Sequence, residues 1–108
     1  GMAILSQESG QEIALVTEDK FILGRKVENV EETIVDLSAY GAYGLGVSRL
    51  HVLVRKTEKG YEICDMDSTN GTWLNDEELA PNKFYPITSG AHIRMGKMHI
   101  IAVFGNPK

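Results

Sequence analysis

Arginine, hydroxyl and amide side chains gather at a few breaks in the sequence, and together they form the donor set that an anion requires. Arg25 closes "FILGR" directly behind Gly24, Ser48 and Arg49 head the segment "SRLHVLV", and Ser68, Thr69, Asn70 and Thr72 crowd into "DSTNGT". A guanidinium offers a forked, permanently charged set of N–H donors, and hydroxyls and amides add neutral ones. That combination suits a phosphate. Each cluster alone has a plainer reading. A single arginine at a strand end is ordinary surface, and Asn70-Gly71 between strands signals a tight hairpin, because both residues tolerate positive φ. The hairpin does not account for Ser68, Thr69 and Thr72, which would place further donors at one loop tip, where an anionic group could be held.

Nucleophilic catalysis is the competing chemistry for Ser48 and His51. The two are three positions apart in a loop-to-strand segment, so their side chains should point in opposite directions. No "GxSxG" turn surrounds Ser48, and no acid stands in sequence where it would orient His51. A hydrolase is therefore disfavoured and no catalytic residue is assigned. His92 and His99 lie among apolar strand residues, and no pair with His51 has metal-ligand spacing, so all three histidines are expected to make structural hydrogen bonds, with no metal or cofactor. A formal net charge of −4 argues against broad capture of nucleic acid, which needs a basic stripe to displace counterions. The acids gather at Glu28, Glu31 and Glu32 and at Asp76, Glu77 and Glu78, and both clusters read as solvated surface.

The elements that must position these groups are short. Apolar segments recur at 12–16, 21–24, 33–37, 51–56, 61–66, 72–74, 84–87, 92–96 and 99–104, rich in β-branched and aromatic residues and separated by turn formers such as Glu58-Lys59-Gly60 and Thr88-Ser89-Gly90. None is long enough for a helix, so the fold class is all-β. In "YEICDM" apolar side chains fall on both sides of the strand, as expected where both faces are covered. The segment "SAYGAYGLGVS" (38–48) is a long glycine-rich loop, of the kind that is either functional or disordered. At 108 residues one domain over 2–108 is expected, with Gly1 set aside as a residue left by tag removal and "GNPK" as a domain exit. Cys64 has no partner for a disulfide and reads as a small core residue of a reducing compartment. With no membrane-length apolar run and no leader, the expectation is a cytoplasmic monomer that inserts in no membrane.

In order and spacing, "GR" (24–25), "SRLH" (48–51), "STNGT" (68–72) and Asn75 resemble the forkhead-associated, or FHA, domain, with the likeness running from about Phe21 to Phe104 and "DLSAYGAYGLGVSRLH" most similar to bacterial members. The resemblance implies a β-sandwich of about eleven strands, with ligand loops at one end and the chain termini at the other. It also implies a binding module for phosphothreonine peptides in Ser/Thr kinase signalling, whose partner is a kinase or a kinase substrate. Carried over by position, Arg25 pairs with the phosphate, Ser48 donates its hydroxyl and Arg49 adds a donor. Thr69 contributes at the phosphate side, and Asn70 bonds the peptide main chain. Gly24, His51, Gly71 and Asn75 support the loops. Gly90-Ala91 departs from the "GD" of many members and puts local turn stability in question. The alternative function is a phosphate-independent interaction domain, with Tyr40, Tyr43, Leu45 and Trp73 as an exposed anchor set.

Overall fold

The computed structural model describes residues 1–105. Eleven strands follow one another along these residues: β1 (Met2–Ser6), β2 (Glu12–Val16), β3 (Lys20–Gly24), β4 (Thr33–Asp36), β5 (Leu50–Thr57), β6 (Gly60–Asp65), β7 (Thr72–Leu74), β8 (Glu77–Glu78), β9 (Phe84–Ile87), β10 (Ala91–Met95) and β11 (Met98–Phe104), with a single 3-10 turn at Ser38–Tyr40. They form a six-stranded sheet in the order β2-β1-β11-β10-β7-β8 and a five-stranded sheet in the order β4-β3-β5-β6-β9. All the pairings are antiparallel except β3 with β4, which run parallel.

Alternation places the core between the sheets. Along β10 and β11, Ala91, Ile93, Met95, Met98, Ile100 and Ala102 are buried, while His92, Arg94, His99, Ile101 and Val103 face the other way. The opposing layer supplies Phe21, Leu23, Val52, Val54, Tyr61 and Ile63 to the same cluster. In β6, Ile63 and Cys64 are both buried, so this strand is covered on its two faces as its sequence suggests. Burial pushes the Cys64 thiol up, away from the reactive thiolate.

Two strands carry no signal that the sequence reading uses. β1 pairs with β11 through Met2↔Phe104 and Ile4↔Ala102 and buries Met2 and Ile4. β8 consists of Glu77 and Glu78, which are solvent-exposed acids as expected, yet pair with Leu74 and Trp73 of β7.

The hairpin expected at Asn70-Gly71 is not there. β6 and β7 belong to different sheets, so the segment between them crosses the sandwich instead of reversing within one layer. The two-residue reversal lies at Asn75-Asp76, where Leu74 pairs with Glu77 and the φ values are 48° and 72°. Asn and Asp are the L residues that best tolerate this left-handed region.

The 38–48 loop is ordered. Leu45 N donates to Gly41 O and Val47 N to Ala42 O, and Leu37, Ala42 and Val47 plug the loop into the core. At the far end, the start of β1 lies beside the end of β11, near the Gly90 turn. That turn closes without an aspartate, since Gly90 N donates to Ala102 O at 2.7 Å and Ala91 N to Thr88 O at 3.1 Å.

Candidate anion-binding site

Four of the residues singled out in the sequence converge. The ends of β3 and β6 and the beginnings of β5 and β7 meet at one end of the sandwich, and there Arg25, Ser48, Thr69 and Asn70 line one small open pocket of about 170 Å3 with Tyr43, Gly46 and Val47. Arg25 is fixed by a bond from its Nε to Val47 O at 2.9 Å, which leaves both terminal nitrogens of the fork free of protein acceptors among the described residues. Its guanidinium lies 5.0 Å from the Tyr43 ring centroid. Ser48 Oγ accepts from Thr69 N at 3.1 Å, so the hydroxyl is positioned by its oxygen and keeps its proton for another acceptor. Asn70 Nδ2 donates to Gly46 O at 2.9 Å, which ties the two loops together and leaves the side-chain carbonyl open.

Beneath this surface, His51 bridges the loops. It is fully buried; Nδ1 accepts from Ser48 N at 2.9 Å, and Nε2 lies 2.9 Å from Gly71 O. An acceptor at Nδ1 and a carbonyl opposite Nε2 require the neutral tautomer with its proton on Nε2. Burial pushes the imidazole below its ordinary range, while the Gly71 carbonyl and the nearby Asp65 carboxylate work in the other direction. The same geometry removes the nucleophile reading. The lone pair that would take a proton from the Ser48 hydroxyl is already occupied by the Ser48 backbone N–H.

Gly24 is required by proximity. A Cβ there would lie 2.0 Å from Arg49 O, the carbonyl that accepts from Arg25 N where β3 meets β5. Gly71 has φ 87°, and a Cβ would press on the Trp73 ring. Asn75 Oδ1 accepts from His92 N at 2.9 Å and so pins the β7–β8 turn to β10. Arg49 is exposed and does not line the pocket.

The hydroxyls of "DSTNGT" hold an anion, but it belongs to the chain. Asp65 is buried and accepts from Ser68 Oγ and Thr72 Oγ1, each at 2.6 Å, and from Ser68 N at 3.2 Å. Of the three hydroxyl residues, only Thr69 remains at the pocket. Sequence reasoning missed Asp65; the signal available was an acid three residues before one hydroxyl and seven before another. It also missed Asp36, whose Oδ1 accepts from Ser38 Oγ at 2.6 Å, Ser38 N at 3.1 Å and Lys26 N at 3.2 Å, joining the loops after β3 and β4. The Ser38 hydroxyl, ahead of the backbone N–H groups, holds that carboxyl below its ordinary value.

His92 and His99 do make a structural hydrogen bond, to each other, with Nε2 and Nδ1 2.8 Å apart. Among the described residues no three His, Cys, Asp or Glu side chains group as a metal site, and no helix is long and apolar enough to cross a membrane. Of the apolar anchor set, Tyr43 and Tyr40 are exposed, whereas Leu45 and Trp73 are half-buried.

Known proteins resemble this chain in sequence and in fold. The E3 ubiquitin-protein ligase RNF8 of Bos taurus is 43% identical over 53 residues, which are 48% of this chain and 11% of the ligase. The oxoglutarate dehydrogenase inhibitor of Corynebacterium diphtheriae is 32% identical over 59 residues, 55% of this chain and 39% of that protein. The chain thus matches a minor part of such relatives. A solved structure concerned with phosphothreonine-dependent FHA domain interactions superposes with a TM-score of 0.67 at 25% identity, covering 96% of both chains. The family model for the FHA domain matches residues 21–96, from the start of β3 to the turn after β10. On that match and that superposition, the chain belongs to the forkhead-associated family.

Proposed function

We propose that this chain is a binding module for phosphothreonine peptides, joining proteins in response to a Ser/Thr kinase, and that it carries no catalytic activity of its own. The observation that supports this most is the convergence of Arg25, Ser48, Thr69 and Asn70 on one pocket, from loops separated by more than twenty residues in sequence. The Arg25 fork gives the phosphate charge-assisted bonds, and the Ser48 hydroxyl donates the proton that its bond from Thr69 N leaves free. Thr69 adds a donor at the phosphate side. Asn70 bonds the peptide main chain through the part of its amide not spent on Gly46. Arg49, exposed beside Ser48, joins only when a ligand draws its long side chain toward the charge. His51, Gly24, Gly71 and Asn75 hold the loops and touch no ligand.

The test is a fluorescence-anisotropy titration against phosphothreonine, phosphoserine and unphosphorylated versions of one degenerate peptide pool. Saturable binding to the phosphothreonine pool, lost in Arg25→Ala, is the expected result. Equal binding of the unphosphorylated pool would overturn the assignment and move the search to folded partners meeting the Tyr40 and Tyr43 face.

A further inference from the structure

A second cleft, of about 400 Å3, adjoins the first and shares Gly46 and Asn70 with it. Its charge stands out against a chain of net charge −4: the lining holds Arg94 and Lys97 and no carboxylate. Among the described residues neither cation has an ion-pair partner. Arg94 is also held in place. Its guanidinium carbon lies 3.7 Å from the Trp73 ring centroid, and Nη1 donates to Gly96 O at 2.9 Å. Stacking and one backbone bond fix the plane of the fork while leaving other N–H groups unspent, so little side-chain entropy is lost when an acceptor arrives. Leu45 and Trp73 supply apolar walls against which the methylene of a short side chain can lie.

From this we infer that Arg94, assisted by Lys97, is a specificity determinant that selects an acidic residue in the ligand, close in sequence to the phosphothreonine. The inference rests on the phosphopeptide reading above and adds which peptides bind best. Both clefts are lined by Asn70 and Gly46, which are bonded to each other, so one extended peptide can run across this bridge, advancing about 3.3 Å per residue. A carboxylate fits the planar Arg94 fork through two parallel bonds, which a neutral side chain cannot make.

The experiment titrates a phosphothreonine peptide with alanine at every flanking position, and a series carrying one aspartate at each position in turn, at low and at moderate salt. One position should bind about three- to tenfold tighter than the alanine peptide, and salt should shrink the gain. In Arg94→Gln the preference should fall to near unity, and Arg94→Lys, which keeps the charge and loses the fork, should retain part of it. Affinity for the alanine peptide checks that each variant is folded. Equal binding of the alanine peptide and every aspartate peptide by the unsubstituted protein would remove the Arg94 inference and leave the phosphothreonine reading standing. Failure of all phosphopeptides to bind would remove both.

Discussion

At the scale of single residues, some groups open into the pocket and others are bonded within the protein, and the two classes should respond differently to substitution. Each charge-assisted bond from Arg25 contributes about 1.5–3 kcal/mol, so Arg25→Ala should weaken phosphopeptide binding at least tenfold with little change in folding stability. Ser48→Ala removes one ligand donor and frees Thr69 N, and a loss of about tenfold is expected in the same titration. Threonine should be preferred over serine about fourfold, from about 0.8 kcal/mol for burying one methyl group in the pocket beside Tyr43. Thr72→Val belongs to the other class. It keeps the shape but takes a short bond from the buried Asp65 carboxylate, so urea unfolding should show about 1–3 kcal/mol lost. Equal stability of Thr72→Val and the unsubstituted protein would mean that Ser68 alone satisfies Asp65. The pocket-lining class was legible because Arg25, Ser48 and Asn70 stand at strand ends in local segments. Asp65 was not, because a carboxylate's donors depend on how the following loop folds back over it.

At the scale of elements, strand existence was legible and strand connection was not. Segments such as 21–24 and 51–56 carry β-branched residues between turn formers, and they occur as β3 and β5. β8 could not be read, because two exposed glutamates bury nothing and pair only because Asn75-Asp76 reverses the chain beside β7. β1 was not legible because "MAILS" is too short a run to signal a strand by itself, and Met2 and Ile4 are turned inward by pairing with β11. Asn70-Gly71 misled for a definite reason: Gly71 does adopt positive φ, but in a crossing between sheets, where hairpin rules do not apply. The junction of β3 with β5 offers the sharpest test at this scale. A methyl on Gly24 would meet a backbone carbonyl at 2.0 Å, and no side chain can move aside to relieve it. Gly24→Ala should therefore cost at least about 3 kcal/mol, as the strands part or the Arg25 turn shifts. A stability loss below 1 kcal/mol, with ligand affinity intact, would show that the junction tolerates more space than its geometry implies.

For the whole molecule, His51 is a buried link between the two sheets at the pocket end: it lies on a strand of the five-stranded sheet, and its Nε2 meets Gly71 O at the edge of the six-stranded one. The folded state holds this imidazole neutral and below its ordinary value of 6.5, with burial as the main cause. The unfolded chain binds the proton more readily, so acid favours unfolding. The contribution is complete above pH 6.5 and is lost as pH falls from there through the lowered folded value. Asp36 acts in a separate window, because its folded carboxyl is held below 3.8 and its contribution fades only under that value. Urea midpoints should therefore fall between pH 7 and pH 5, before the Asp36 carboxyl titrates. The only other histidines are His92 and His99, so the double variant His92→Gln/His99→Gln isolates the buried ring without disturbing it. That variant should keep the full acid sensitivity, and the His51 ring should show by NMR the tautomer protonated at Nε2 at neutral pH. Loss of the sensitivity in the double variant would assign it to the hydrogen-bonded pair on the outer face of β10 and β11. In that case the bridge between the loops would carry no proton-linked stability, and Ser48 would keep its placement at pH 5.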